Sequence, residues 1–253
     1  MQNTNEINKK SWNAYQETYI KAAIANPDRN YFEFYSKGGV GMDAYEPMIS
    51  FLGDVKGLKL LDTCCSSDAW QAYSWHNLGA KVTACDITPK AIEIAGENAK
   101  KMGLDIEFVV ADMQTLEPIA DGNFDIVFAT YPVWVQDFFE ACRTWNRVLK
   151  KGGRLFLFAD HPITSCISEN SMGINITKNY NTPTPDWYDS FDGTGAADRI
   201  GGFFVDLPSV ENFWRISDLI NAICDAGFCI KKVYESFESN EKLPSDFSVI
   251  AVK

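Results

Sequence analysis

The chain has 253 residues, of which 46% are hydrophobic and 23% are charged, and its formal net charge at pH 7 is -11. This composition excludes a disordered chain, a collagen and a coiled coil, and the excess of 34 acidic over 23 basic residues argues against nucleic acid or an anionic membrane as partner. The polar start carries no apolar signal segment, and no apolar run approaches the roughly 20 residues that cross a bilayer, so we expect a cytoplasmic protein.

The seven cysteines fit a reducing compartment. Their number is odd, and Cys64 and Cys65 are adjacent, which suits a disulfide framework poorly. No C-x-x-C pair is present, so the sequence gives no reason to expect a structural zinc or another metal site.

Residues 1–55 are expected to form a helical and aromatic cap. Trp12, Tyr15 and Tyr19 recur at helical spacing, and a second aromatic group follows at positions 31–35. These rings either wall a ligand site or form the core of the cap, and for Trp12 the core interpretation is preferred.

From Leu58 onward, short runs rich in Val, Ile, Leu and Phe alternate with stretches of helical period, which predicts an α/β fold with a parallel sheet. Seven strands are predicted, at Leu58–Asp62, Lys81–Cys85, Ile106–Val110, Phe124–Ala129, Arg154–Ala159, Phe228–Glu235 and Phe247–Val252. Three helices are predicted between them, at Lys90–Met102, Trp134–Lys150 and Val210–Ala226. Thr88-Pro89 and Gly103 bound the first, Gly152-Gly153 the second, and Gly227 the third.

The segment Pro162–Pro208 is too long to be a plain connection inside a compact domain. It is rich in Asn, Thr, Pro, Asp and Gly, a composition typical of lids and binding loops. We expect this segment and the cap to cover the carboxyl ends of the strands.

Five stretches in this region carry a resemblance to a known family: LLDTCCSSDAW, VTACD, VVADM, FDIVFATY and RVLKKGGRLFLFADHP. Together they resemble the class I S-adenosylmethionine-dependent methyltransferases, in a branch that acts on small molecules. The resemblance covers Leu58 to Lys253 and implies a methyltransferase domain over residues 56–253, with the lid inserted at 162–208. It implies a Rossmann-like seven-stranded sheet, S-adenosyl-L-methionine as cofactor, and methyl transfer to a small-molecule acceptor by in-line displacement.

The resemblance also implies a cofactor site at the carboxyl edge of the sheet, where open α/β sheets bind ligands. Asp86 would accept hydrogen bonds from the two ribose hydroxyls, and Asp112 would accept from the adenine amino group beside Met113. Each acid has an alternative role, Asp86 as a helix cap and Asp112 as a turn cap. The other residues expected at the cofactor are Cys64, Cys65, Ser66, Asp68, Ile87, Tyr15 and Tyr19.

The first loop departs from the family pattern, because no glycine lies between Asp62 and Leu78. Class I enzymes generally have a glycine-rich turn there, which lets backbone amides approach the cofactor. Either Asp68 or Ala69 stands in the place of the last glycine. A turn of small residues either admits the cofactor, with Asp68 paired to its α-ammonium, or has lost affinity for it.

Two residues are candidates for catalysis on the acceptor side. His161 follows the fifth strand, where it either takes a proton from an acceptor or caps the lid, whereas His76 is expected to be structural. Tyr131 follows the fourth strand and would lie beside the transferred methyl. With Tyr15, Tyr19 and Trp134 it would form an aromatic wall, so the acceptor is expected to be apolar or aromatic in part.

Three hypotheses follow from these residues. The first is an active methyltransferase, with a variant in which Cys64 and Cys65 hold a soft acceptor. The second is a methyltransferase-like protein whose altered turn binds a nucleoside-type ligand or a partner without methyl transfer. The third, a nicotinamide-dependent oxidoreductase, is weakest because no G-x-G-x-x-G is present.

Overall fold

The computed structural model describes residues 3–25, 30–170, 173–188, 206–237 and 243–253. In chain order the described strands are β1 (Lys59–Asp62), β2 (Lys81–Asp86), β3 (Glu107–Val110), β4 (Phe124–Thr130), β5 (Leu149–Asp160), β6 (Ile167–Asn170), β7 (Gly173–Ile176), β8 (Asp186–Tyr188), β9 (Ser209–Glu211), β10 (Cys229–Ser236) and β11 (Asp246–Val252). The described helices are α1 (Thr4–Ile24), α2 (Tyr31–Ser36), α3 (Met48–Leu52), α4 (Trp70–Asn77), α5 (Pro89–Met102), α6 (Phe138–Val148) and α7 (Ile216–Asp225).

Seven of these strands form one mixed sheet in the order β10-β11-β5-β4-β1-β2-β3. Strands β1 to β5 are parallel to one another. At the edge of the sheet, β11 pairs antiparallel with β5, and β10 pairs antiparallel with β11. The winding of the chain reverses between β1 and β4, and ligands of open α/β sheets bind at the carboxyl ends beside such a point. The predicted fold class, a Rossmann-like seven-stranded sheet with flanking helices, is confirmed.

The central strands are buried on both faces, which is why their sequences are nearly continuous apolar runs. In β4, Ile126 and Phe128 belong to the apolar layer that also contains Trp75, while Val127 and Ala129 belong to the layer that contains Trp145. Because β4 pairs parallel with β1 and β5, its carboxyl end lies at the same edge of the sheet as theirs.

Two predicted helices have wrong boundaries. The helix predicted at Trp134–Lys150 begins at Phe138, because the Asp137 side chain caps it by accepting from the backbone of Glu140. It ends at Val148, and Gly152 and Gly153 lie inside β5 instead of closing a helix. The helix predicted at Val210–Ala226 begins at Ile216, because Val210 pairs with Trp187 as part of β9.

The N-terminal helix α1 lies against the strand that ends the predicted lid. The side chain of Asn8 donates to the carbonyl of Val210 and accepts from its amide, both at 2.8 Å, in the manner of a neighbouring strand. Ser11 donates to the carbonyl of Pro208. Residues 171–172 and 189–205 of the predicted lid lie outside the described residues.

Within the described part of the chain, every helix is too short or too polar to cross a membrane.

Candidate active site

A cavity of about 240 Å³ opens at the carboxyl edge of the sheet. Its walls come from α1, from the loop after β1, and from the ends of β2, β3 and β4. The residues that line it are Asn5, Asn8, Trp12, Gln16, Tyr19, Thr63, Cys64, Ser66, Asp68, Trp70, Gln71, Asp86, Ile87, Asp112, Met113, Tyr131 and Trp134.

One wall of the cavity is a single face of α1, formed by Asn5, Asn8, Trp12, Gln16 and Tyr19. These positions follow each other by three or four residues, the spacing that places side chains on one side of a helix. Of these residues, the sequence predicts a role only for the aromatic ones. The preferred core role of Trp12 is wrong, because Trp12 lines the cavity. The polar members were missed, although they continue the same helical spacing.

The loop after β1 keeps a glycine-like backbone path without glycine. Ser66 has a φ of 55° and Ala69 a φ of 40°, both in the left-handed region that glycine enters freely and other residues enter at a cost of about 1–3 kcal/mol. The amide of Cys65 donates to the carbonyl of Cys85 at 2.9 Å and ties the loop to β2. Of the two residues proposed for the place of the last glycine, Ala69 is the one with a positive φ.

Two serine side chains in this glycine-free loop form hydrogen bonds to the N-terminal helix. Gln16, which is 1% exposed, accepts through Oε1 from the Ser67 amide at 2.9 Å and from the Ser66 hydroxyl at 3.1 Å. The Ser67 hydroxyl donates to the Gln16 carbonyl at 3.0 Å. The loop sequence thus provides anchoring groups for α1 that glycine could not supply.

Asp86, at the end of β2, organises the loops on either side of it. Its Oδ1 accepts from the amide and the hydroxyl of Thr88 at 2.9 and 2.7 Å, and its Oδ2 accepts from the Ser66 amide at 3.0 Å. The capping role predicted as an alternative is therefore present. A carboxylate has about four acceptor positions, so Oδ2 keeps one for a ligand in the cavity. Burial raises the pKa of this carboxyl group.

Asp112, two residues beyond β3, also lines the cavity. Its Oδ1 accepts from the Gln114 amide at 2.8 Å, and its Oδ2 accepts from the side-chain amide of Asn5 at 2.7 Å. The neighbouring Met113 is fixed because its carbonyl accepts from the indole of Trp145 at 2.9 Å. Each Asp112 oxygen retains one acceptor position.

Asp68 places a third carboxylate on the cavity wall. Burial raises its pKa to about 7, against the opposing effect of hydrogen bonds from the backbone amides of Asp68 and Ala69. The same charge is the largest cause of the raised pKa of Tyr19. Among the described residues that line the cavity there is no Lys, Arg or His, so nothing there neutralises these carboxylates. The cavity is suited to a cation.

Tyr131 and Trp134 form the aromatic side of the cavity. Tyr131 follows β4 with a φ of 52°, and its amide donates to the carbonyl of Phe158 at 3.1 Å. Burial and then the nearby Asp160 carboxylate raise the pKa of Tyr131 to about 12, so its hydroxyl remains protonated. Trp12 meets Trp134 edge to face, with ring centroids 5.1 Å apart. Sequence reasoning did not identify the neighbouring Trp70 and Gln71.

Two of the residues predicted to bind the cofactor, Tyr15 and Cys65, are not on the cavity wall. Tyr15 is buried and packs its ring 5.3 Å from that of Trp12 and 5.5 Å from that of Tyr19, so it supports the wall from behind. Cys65 is buried, whereas Cys64 faces the cavity. Burial raises the pKa of both thiols well above the usual range, which disfavours their use as metal or metalloid ligands.

The expectation that His161 faces the acceptor does not fit its position. His161 is fully buried, its Nε2 lies 2.9 Å from Glu235, and its Nδ1 accepts from the Ile163 amide at 3.2 Å. Its ring packs edge-on against Phe247 of β11. Both ring nitrogens are used inside the protein, away from the cavity, which matches the alternative that His161 caps the start of the lid.

Replacing His161 by Asn is therefore expected to reduce the free energy of unfolding by about 1–3 kcal/mol, because the shorter Asn side chain does not reach Glu235, the partner of Nε2. Binding of S-adenosylhomocysteine is expected to stay unchanged. Chemical denaturation and calorimetry measure the two effects, with His76→Asn as the matched control at the other histidine. An undiminished stability together with a roughly hundredfold loss of methyl transfer would restore the role of His161 as a base.

Among the residues that the structure describes, no three His, Cys, Asp or Glu side chains lie close enough to hold a metal ion.

Comparison with known proteins connects this geometry to a family. Residues 61–157 match the family described as a methyltransferase domain. The chain is 34% identical over 119 residues to a demethylmenaquinone methyltransferase of Lactococcus lactis and 30% identical over 105 residues to a ubiquinone biosynthesis O-methyltransferase of Xanthomonas oryzae. These matches cover 44% and 41% of this chain, and only 46% and 44% of the relatives' own length.

The fold extends beyond the part matched in sequence. A crystal structure of an S-adenosylmethionine-dependent methyltransferase from Mesorhizobium loti superposes with a TM-score of 0.65 at 21% identity. The superposition covers 84% of this chain and 99% of that protein, so the two share the fold over that part of the chain.

Proposed function

Because the chain carries a class I S-adenosylmethionine-dependent methyltransferase domain, we propose that the whole protein moves a methyl group from S-adenosyl-L-methionine to a small-molecule acceptor. The observation that carries this proposal is the pair of carboxylates Asp86 and Asp112, which end neighbouring parallel strands and line one cavity. A nucleoside presents ribose hydroxyls and an amino group as donors, and these acids are acceptors at the two matching places.

The residues of the cavity fit an S-adenosyl group. Asp86 would accept from a ribose hydroxyl next to Ile87, through the acceptor position that Oδ2 keeps, and Asp112 would accept from the adenine amino group above Met113. Asp68 is a carboxylate with no neighbouring cation among the described lining residues, which suits the α-ammonium of the methionine part. The left-handed backbone at Ser66 and Ala69 supports a loop path of the kind that class I enzymes build with glycine. When bound, the cofactor supplies a methyl group already activated on a sulfonium.

The task left to the protein is therefore to hold the acceptor in line with that methyl group and to exclude water. Tyr131, Trp134 and Tyr19 line the cavity, and aromatic rings stabilise a positive charge held over their faces, which favours the sulfonium. The same rings favour an acceptor that is apolar or aromatic in part. The absence of Lys and Arg among the described lining residues argues against a phosphorylated acceptor.

The proposal includes a division of the chain and a location. Residues 1–55 act as the cap, residues 56–253 form the methyltransferase domain, and residues 162–208 act as the lid. The contacts of Gln16 with the first loop and of Asn8 with β9 support this division, because the cap touches both the cofactor loop and the end of the lid. The odd cysteine count and the acidic charge support a cytoplasmic protein.

Formation of S-adenosylhomocysteine from S-adenosylmethionine tests the proposal directly. Two curated relatives are named for steps of quinone methylation, so dihydroxybenzenes and naphthoquinols form the first acceptor set. Aromatic amines form a second set, and sugar phosphates form the set expected to fail. Product formation with an aromatic set, and none with an Asp86→Ala variant, supports methyl transfer. Equal background formation by both proteins with every set contradicts it.

The cap and lid are expected to become ordered together when S-adenosylhomocysteine binds. Asn8 joins α1 to β9 and Gln16 joins α1 to the first loop, so a ligand under α1 stabilises all three. Hydrogen exchange with and without the ligand measures this, and amides of α1 and β9 should gain protection in parallel. Unchanged protection of both segments would contradict a closing role.

A further inference from the structure

The left-handed conformation of Ser66 is held by a hydrogen bond on either side of it. The Ser66 amide, in the peptide group before the residue, donates to Asp86 Oδ2 at 3.0 Å. The Ser67 amide, in the peptide group after it, donates to Gln16 Oε1 at 2.9 Å. The torsion angles of Ser66 set the angle between these two peptide planes, so Asp86 and Gln16 together fix its φ at 55°.

The second left-handed residue of the loop, Ala69, is held in the same way. The carbonyl of Asp68, in the peptide group before Ala69, accepts from the hydroxyl of Tyr31 in α2. The carbonyl of Ala69, in the peptide group after it, accepts from the Tyr73 amide at 3.0 Å in the first turn of α4. Tyr31 and α4 therefore fix the φ of Ala69 at 40°.

At each position, one of the two holding groups comes from the cap. Gln16 is 1% exposed and Tyr31 is 5% exposed, so water does not readily replace the hydrogen bonds that they make. A residue other than glycine in the left-handed region carries a cost worth roughly 5- to 150-fold in an equilibrium, and it stays there only when its surroundings hold it. Without these two side chains, the loop is expected to relax to a more favourable backbone conformation.

Resting on the proposed function, we propose that Gln16 and Tyr31 are positioning residues for the cofactor, which hold the first loop in the backbone path that glycine adopts unaided. The cap is then a working part of the S-adenosyl site. If either hydrogen bond is lost, the loop relaxes in the free protein, and a ligand has to restore it on binding. The affinity falls by the cost of that restoration.

The test measures the affinity for S-adenosylhomocysteine by calorimetry. Gln16→Met keeps the size of the side chain and removes the acceptor, so it should weaken binding about tenfold. In the presence of Ser66→Gly, the loss caused by Gln16→Met should shrink to less than about threefold, because glycine enters the left-handed region without cost. Ser66→Ala is the matched control, since it removes the same hydroxyl but keeps the Cβ atom. In its presence Gln16→Met should still weaken binding at least about fivefold.

A second pair of substitutions tests the other left-handed residue. Tyr31→Phe removes one hydroxyl and keeps the packed ring, so this pair stays measurable if Gln16→Met does not fold. Tyr31→Phe should weaken binding about fivefold, and by less than about twofold in the presence of Ala69→Gly. Ala69→Gly leaves the hydrogen bond between Tyr31 and Asp68 in place, so a smaller loss reports the backbone alone.

Two results would overturn the proposal. One is an unchanged affinity in Gln16→Met and in Tyr31→Phe. The other is a loss in Gln16→Met that is equally large with Ser66→Gly and with Ser66→Ala, which would leave Gln16 an anchor of α1 and nothing more. A wild-type protein that does not bind S-adenosylhomocysteine overturns the proposed function itself.

Discussion

Asp86→Ala is expected to weaken binding of S-adenosylhomocysteine by about 2–3 kcal/mol, roughly 30- to 150-fold. In the proposed site the carboxylate accepts from a ribose hydroxyl, and hydrogen bonds to a charged group are the strong ones. The variant also frees the amides of Ser66 and Thr88, which Asp86 now holds at 3.0 and 2.9 Å. The first loop therefore loses its orientation together with its ligand.

Calorimetry measures this loss, and Asp105→Ala is the matched control. Asp105 is an exposed carboxylate in the turn before β3, at the opposite edge of the sheet from the cavity. The same chemical change there should leave affinity within about 0.5 kcal/mol of wild type. If the two variants bind S-adenosylhomocysteine with equal affinity, Asp86 does not bind the ligand.

The second large effect is a pH dependence of binding that comes from Asp68. Burial raises the pKa of this group to about 7 in the free protein, so it is mostly protonated below that pH and ionised above it. A bound α-ammonium favours the ionised form, so binding below pH 7 must release the proton. Affinity for S-adenosylhomocysteine should therefore fall by about tenfold for each unit below pH 7 and level off above it.

Asp68→Asn separates this effect from other titrations. Burial also raises the pKa of Asp62 to about 7, and its Oδ2 has no partner among the described residues. Asp62 titrates in both proteins, so the difference between their pH profiles belongs to Asp68. The variant should bind weakly at pH 8 and lose most of the slope below pH 7. An unchanged slope in Asp68→Asn would mean that the α-ammonium lies elsewhere.

The sheet and the two acids at its carboxyl edge could be predicted because the signal for each is local. A parallel strand buried on both faces is a continuous apolar run, and its carboxyl end is visible where the run stops. Asp86 and Asp112 follow such stops at neighbouring strands. Predicting that the two acids lie close together required only the order of the strands in the sheet.

The polar wall of α1 could not be predicted in the same way. In the sequence, Asn5 and Gln16 look like the solvated residues of an amphipathic helix. Their partners Asp112 and Ser67 lie 107 and 51 positions away, so no local pattern indicates the contacts. His161 was misassigned for a related reason. The end of β5 was predicted correctly, but the position of Glu235 beside His161 depends on the pairing of β10 with β11 and of β11 with β5.

Titration calorimetry of the wild-type protein with S-adenosylmethionine and with S-adenosylhomocysteine tests the central claim, a working S-adenosyl site behind a loop without glycine. The account predicts one site per chain, with dissociation constants in the range of about 1–100 μM for both ligands. It predicts that Asp86→Ala binds S-adenosylhomocysteine about 30- to 150-fold more weakly than the wild type does. No binding of either ligand to the wild type at about 1 mM would contradict the claim, because the cavity between α1 and the sheet would then serve a different ligand.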